Sequence, residues 1–253
     1  RAAWLRALML ERERVANHLG DLGALGNDAA FAFALAQFSR LREDWLRVSK
    51  KMFGHRWLMD CIVPGGVAVD LDHIQCRALA QQCDTMELEV SRLHEIFESH
   101  AGLQDRLMAT GCVTPELASR LGLTGLAGRA SSQAFDLRTD HAFAPYESLN
   151  VLKVTHQSGD VAARVAVRFD EVLESLRLIR QILRDLPDGD IVTQVNLPQQ
   201  PSRGAGWVEG WRGEVWVALN LAGADHSHCI QRCHLHDPSW QNWPVLEHAI
   251  IGN

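Results

Sequence analysis

The residues best suited to chemistry lie on one stripe near the start of the chain: Glu11, Arg14, His18 and Asp21, with Asp28 a heptad beyond. Steps of three, four and three place side chains above one another on one side of an α-helix. A carboxylate, a guanidinium, an imidazole and two further carboxylates therefore face the same way. Beside them Leu5, Leu8, Val15, Leu19 and Leu22 form an apolar seam at helical spacing. On a surface helix such a stripe is a solvated charged face. Buried, it is a row of ionisable groups that must pair to be tolerated and that can mark a site handling protons or charge. The spacing leaves both readings open.

Two other stretches invite a chemical reading. In Gly206-Trp-Val-Glu209-Gly-Trp-Arg212-Gly-Glu214, two carboxylates and an arginine sit among glycines between apolar strand-like segments. Glycine lets a backbone approach a neighbour closely, and Arg with Glu can pair across a turn; the plainer reading is a hairpin with an exposed salt bridge. The cluster His226, His228, Cys229, Cys233, His234 and His236 has zinc-ligand chemistry. Its spacing argues against one ion. On a strand the two cysteines share a face but sit ~13 Å apart, while His234 and His236 point to the other side. No metal site is expected. GxGxxG and GxxxxGK loops, a GxSxG elbow and an HExxH pair do not occur in the chain, so direct nucleotide binding is not expected.

Positioning these residues falls mainly to helices. The periodicity predicts a first helix over about Leu5 to Gly26, with Gly20, Gly23 and Gly26 on a three-residue step that suggests close approach of another helix or a bend. Asn27-Asp28 is a candidate cap for a second helix that ends at Gly54. Pro64-Gly65 reads as a turn. A third helix is expected from about Leu71 to His100, and Thr114-Pro115 opens a short one with Pro at its first position. Gly122, Gly125 and Gly128 punctuate a loop region. A further long helix covers roughly Asp160 to Asp185. Short apolar runs among glycines after residue 200 read as an antiparallel sheet of two or three strands. Pro238 begins a last helix through Ile250. The predicted fold is mainly α, a long-helix bundle with a small antiparallel β element near the C-terminal end. Residues 1–190 form the helical core, and 191–253 form the β element and terminal helix of the same domain.

Composition narrows the partners. The 253 residues carry a net charge of −6 and no dense basic run, so nucleic acid is an unsuitable partner. No apolar run approaches the ~18–20 residues that span a bilayer. Six scattered cysteines without a CxxC pair read as reduced thiols. The chain starts without Met inside a predicted helix and stops in what reads as another, which suggests a piece of a longer polypeptide.

Taken together, several stretches in this order resemble a known family: Glu11-Arg-Glu-Arg-Val-Ala-Asn-His18-Leu, Asp28 ten residues later, Val63-Pro-Gly-Gly-Val67, Asp136-Leu-Arg138, Val208-Glu-Gly-Trp-Arg-Gly-Glu214 and Asp237-Pro-Ser-Trp. The pattern is similar to the hydrogenase-like large subunit of respiratory complex I (NADH:quinone oxidoreductase). It equally resembles the large subunit of membrane-bound, energy-converting nickel–iron hydrogenases. The resemblance implies a bundle of the hydrogenase large-subunit type that packs on an iron–sulfur subunit at the cytoplasmic side of a membrane complex. In one branch electrons from the nearest cluster reduce a quinone, NADH being oxidised on another subunit. In the other a nickel–iron centre held by two CxxC pairs does hydrogen chemistry, and neither pair falls within this sequence. It also implies that His18 and Asp28 belong to a buried charged path coupling redox chemistry to protons, with Glu11 and Arg14 on the same helix. Arg212 and Glu214 then lie on the loop that approaches the redox cavity. Asp21 has no clear counterpart and reads as structural. A homologue serving only as a metal-free scaffold is the reading from another class.

Overall fold

The computed structural model describes residues 1–223 and 229–251. Four long helices carry the structure: α1 (Ala2–Asp28), α2 (Ala32–Phe53), α3 (His73–Ser99) and α8 (Val161–Asp185). The first packs against both α2 and α8, and α3 closes the bundle on α8. Their apolar stripes meet in one cluster that includes Leu8, Val15, Phe38, Trp45, Val90, Phe97, Phe169 and Ile179. Between α3 and α8 run four short helices, α4 (Ala101–Leu107), α5 (Pro115–Arg120), α6 (Gly125–Arg129) and α7 (Leu137–Asp140). The β elements are a two-residue-stranded hairpin, β1 (Ile62–Val63) and β2 (Gly66–Val67), turned by Pro64-Gly65, and a sheet of β3 (Ser202–Glu209), β4 (Glu214–Leu221) and β5 (Ile230–His236), antiparallel throughout. A final helix, α9, covers Ser239–Ala249. Among the described residues no helix is long and apolar enough to cross a membrane.

The helix ends follow from local chemistry. Asp72 and Gln75 form a reciprocal capping box at the start of α3, and the Asp160 carboxylate accepts from the Ala163 amide at the start of α8. Thr114 caps α5, whose first residue is Pro115.

The structure departs from the sequence reading in two places. Asn27 and Asp28 do not cap α2; they continue α1 to its last residue. The Phe31 amide reaches back to the Gly26 carbonyl and the Ala30 amide to Asn27, a closure that requires the left-handed φ of 61° at Ala30. The glycine-punctuated stretch is not merely loop, because Gly125 opens α6. Its φ is +62°, and a Cβ there would sit 1.9 Å from the Arg212 carbonyl oxygen. That glycine thus lets the 210–213 turn seat directly on α6. The run from 202 to 209 is the first strand of the expected antiparallel sheet.

The three-residue glycine step does mark a close helix approach. A Cβ on Gly26 would lie 2.4 Å from the Cβ of Ala34, whereas on Gly20 it would meet only the end of the Arg42 side chain, at 3.0 Å. Alanine gains about 1 kcal/mol of helix propensity over glycine, while overpacking costs about 1–3 kcal/mol. At Gly26 neither backbone-anchored methyl can swing aside, so overpacking wins. Gly26→Ala is expected to lower the melting temperature and Gly20→Ala to leave it unchanged or raise it, as thermal unfolding of the two variants would show.

Candidate functional site

The helix α1 presents Glu11, Arg14 and His18 inward, where each is at most 1 % exposed. They meet charged groups from four other parts of the chain: Arg129 of α6, Asp136 and Arg138 at the start of α7, Glu171 of α8, and Glu209 at the end of β3. The Glu11 carboxylate is held by Arg138 Nη1 at 3.2 Å to both oxygens, by Arg14 Nε at 3.3 Å, and by the hydroxyls of Tyr146 and Ser175, each donating at 2.6 Å. Burial pushes its pKa up, but Arg138 and Arg14 outweigh burial and hold it below the ordinary glutamate value. Tyr146 is driven well above its usual pKa by burial and then by Glu11, so its hydroxyl stays a donor.

Glu171 is the junction. Its Oε1 receives Arg129 Nε at 2.8 Å and pairs with Arg129 Nη2 at 2.7 Å, while its Oε2 lies 2.7 Å from His18 Nε2. Burial raises its pKa, yet Arg129, His18 and Arg14 together hold it well below the carboxylate range. Arg129 continues the chain to Glu209, donating from Nη1 to Oε1 at 2.8 Å, and the Leu137 amide donates to Oε2 at 3.1 Å. The backbone of this segment is fixed too, since Arg14 donates to the carbonyls of Glu209 (2.6 Å) and Gly210 (2.9 Å). A continuous buried path of hydrogen bonds thus runs from His18 through Glu171 and Arg129 to Glu209, at the root of the 210–213 turn.

His18 and Glu209 are the two groups at the ends of this path that can change state. Burial is the largest influence on His18 and lowers its pKa, against the opposing hydrogen bond and charge of Glu171. The imidazole is therefore neutral near pH 7. Because Glu171 is ionised and can only accept, Nε2 carries the proton and Nδ1 a lone pair. That Nδ1 is buried without a hydrogen-bond partner, with the edge of Trp211 nearby at a 6.3 Å ring separation. The charge balance points the same way: four carboxylates (Glu11, Asp136, Glu171, Glu209) face three guanidiniums (Arg14, Arg129, Arg138). The cluster is one positive charge short, and one added proton on His18 or Glu209 balances it. Burial, chiefly, raises the Glu209 pKa as well.

The structure thus brings Glu11, Arg14 and His18 together, and leaves other sequence candidates apart from them. Asp28 is exposed at the end of α1, about 15 Å along the helix from His18 at 1.5 Å per residue. The buried row does not extend to it. Asp21 is half-buried and pairs with Arg168 at 3.2 Å. Arg212 is exposed with its guanidinium over the Trp211 ring at 4.1 Å, and Glu214 is half-buried. The expected exposed salt bridge of the hairpin is replaced by the buried pair of Glu209 with Arg129. Of the histidine and cysteine cluster, His226 and His228 lie outside the described residues; Cys229 and Cys233 are exposed thiols.

Sequence reasoning missed Glu171, Arg129, Tyr146 and Ser175. A signal existed for two of them: Arg164, Arg168, Glu171 and Ser175 step by four, three and four, a stripe on α8 that mirrors the one on α1. Arg129 and Tyr146 lie in short irregular segments with no periodicity to expose them.

Residues 25–205 match the family described as the respiratory-chain NADH dehydrogenase, 49 Kd subunit. The chain belongs to that family. It is 33 % identical over its whole length to formate hydrogenlyase subunit 5 of Escherichia coli (strain K12), of which it covers 44 %. It is also 30 % identical, over 88 % of the chain and 42 % of the relative, to an NADH-quinone oxidoreductase polypeptide of Bacteroides thetaiotaomicron. Among solved structures, the archaeal membrane-bound sulfane sulfur reductase complex contains a chain that superposes with a TM-score of 0.90 at 26 % identity, covering all of this chain and 69 % of that one. The chain therefore spans less than half the length of these two curated relatives.

The buried carboxylates set an acid limit on stability. Asp136 is held down to about 2, burial being outweighed by Arg138, and Glu11 and Glu171 are depressed as well. Groups with depressed folded pKa values stabilise above their unfolded pKa, and that stability is lost as pH falls through the folded value. His18, depressed by burial, adds a loss that begins below its unfolded value near 6.5; Glu209, raised, runs the other way. Unfolding midpoints in urea are expected to fall in two stages, the first below about pH 6.5 and the second below about pH 4.5. In His18→Phe the first stage should vanish.

Proposed function

We propose that this chain forms the proton-coupled part of a redox subunit in a peripheral, membrane-associated oxidoreductase. Electrons arrive from a neighbouring iron–sulfur subunit and reduce a quinone, with NADH oxidised on another subunit. The fold is then the helical bundle of the nickel–iron hydrogenase large-subunit type, docked on membrane subunits at the cytoplasmic face. One observation carries the reading: a buried neutral imidazole donates through one nitrogen to ionised Glu171 and keeps the other free to accept a proton. Electron arrival near the 210–213 turn makes the surroundings more negative, which raises the proton affinity of His18. Glu11 and Arg14 hold the cluster in register. Arg212 lies in the turn that faces the reacting molecule, and Glu214 follows it.

A second reading, hydrogen chemistry in a longer polypeptide, is favoured by the formate hydrogenlyase relative, which matches the entire chain. Among the described residues no three His, Cys, Asp or Glu side chains gather to hold a metal ion, so this span has no ligand set fitting a nickel–iron centre. Metal analysis of the full-length subunit, purified with its partners, separates the readings. Stoichiometric nickel in this subunit supports the hydrogen reading and overturns the quinone one. Without nickel, His18→Phe should lower quinone reduction at least ~10²-fold in an assembled complex; unchanged turnover would make the subunit a scaffold.

A further inference from the structure

Beyond the buried cluster, the 210–213 turn borders a cavity of 440 Å³ between α6, α8 and α9. Its lining includes Arg164, Arg168, Arg212, Asn242, Trp243 and Leu246, and no acidic side chain. The nearest carboxylates are already engaged. Asp21 pairs with Arg168 at 3.2 Å, Asp160 accepts from the amides of Ala163 (2.8 Å) and Ala109 (2.9 Å), and Asp237 accepts from the Ser239 amide at 2.9 Å. Three guanidiniums and no carboxylate line this concave wall, while the carboxylates that act on them, Asp21, Asp160, Glu171 and Asp237, lie outside the lining. Burial and then Arg168 lower the pKa of Arg164; burial lowers that of Arg168 against the opposing charges of Asp21 and Glu171, with a smaller push from Arg212.

Donors are available to an incoming group. Arg164 spends its terminal nitrogens on the Gly159 and Gly111 carbonyls, which anchors its charge. Arg168 donates from Nε to Asp21 and from Nη1 to the Arg164 carbonyl, leaving Nη2 toward the cavity. The Arg212 guanidinium lies over the Trp211 ring at 4.1 Å, and its charge also acts on Asp237. The opposite wall, Trp243 and Leu246, is apolar and exposed.

We propose that this cavity binds a small organic anion, its carboxylate or oxyanion group on Arg168 and Arg212 and its apolar body against Trp243. A planar fork of N–H donors beside an aromatic wall suits such a ligand, because charge-assisted hydrogen bonds fix the head while the body is removed from water. The site shares Arg212 and the 210–213 turn with the proposed redox cavity, and its anion chemistry rests on the lining residues.

The test uses the full-length subunit in its assembled complex, with benzoate and its neutral isostere benzamide as probes in calorimetry at low salt. Benzoate should bind at least tenfold more tightly than benzamide, and its affinity should fall as salt is added. Arg168→Gln and Arg212→Gln should each weaken benzoate at least tenfold and leave benzamide unchanged. Arg212 is exposed, so its variant tests the site without risk to folding. Equal binding of the two probes, unchanged benzoate affinity in Arg212→Gln, or no benzoate binding to the complex would each overturn the proposal. These tests read binding, whereas the redox reading is tested by nickel content and turnover, so the two fail by different measurements.

Discussion

Replacing Arg129 by methionine is expected to destabilise the chain by about 3–5 kcal/mol, the cost of breaking a buried ion pair from one side. Arg129 bridges Glu171 and Glu209 with contacts of 2.7–2.8 Å, and all three side chains are at most 1 % exposed. Methionine fills much of the same volume, so the loss reports charge rather than a cavity. Without the guanidinium, two carboxylates face each other across a dry interior, and the cluster falls from four acids against three arginines to four against two. The deficit should shrink in Arg129→Met/Glu209→Gln, which restores the original imbalance of one, and should also shrink as pH is lowered and Glu209 takes a proton. Urea unfolding of the single and double variants measures both. As a control, Arg47→Met removes an arginine whose side chain is 72 % exposed, beside Glu43, and should be indistinguishable from the parent chain.

His18→Phe is expected to separate stability from function. Phenylalanine keeps the ring against Trp211 but loses the 2.7 Å bond to Glu171, a loss of about 1–3 kcal/mol for a buried bond to a charged partner. The chemical consequence is larger. Removing a positioned proton acceptor typically lowers turnover by about 10²–10⁴-fold. Turnover in the assembled complex should fall at least 10²-fold with KM for the electron acceptor little changed. Asp21, next along the stripe, contacts Arg168 rather than the buried path. Asp21→Asn should therefore keep most of the activity.

The long helices were legible in the sequence because each carries many apolar residues at one period, and such signals sum over several turns. Their ends were harder to place. At Asn27-Asp28 a good capping pair continues α1, since the chain closes through Ala30 in a conformation that the sequence does not announce. The α1 half of the site was legible for the same reason as the helices: Glu11, Arg14 and His18 share a face. Whether that face was solvated or buried depended on partners more than a hundred residues away, Arg138, Tyr146 and Glu171. Gly125 shows the same limit. Read along the chain it is a loop glycine; in the fold its missing side chain lets the 210–213 turn rest on α6 and positions Glu209 for Arg129.

The most direct test of the buried proton site is the reduction-induced infrared difference spectrum of the assembled complex, recorded with isotopically labelled histidine. Reduction should convert one neutral imidazole to imidazolium, with label-sensitive bands that are missing in His18→Phe. A difference spectrum without histidine bands, or one unchanged in His18→Phe, would contradict the assignment of His18 as the proton acceptor.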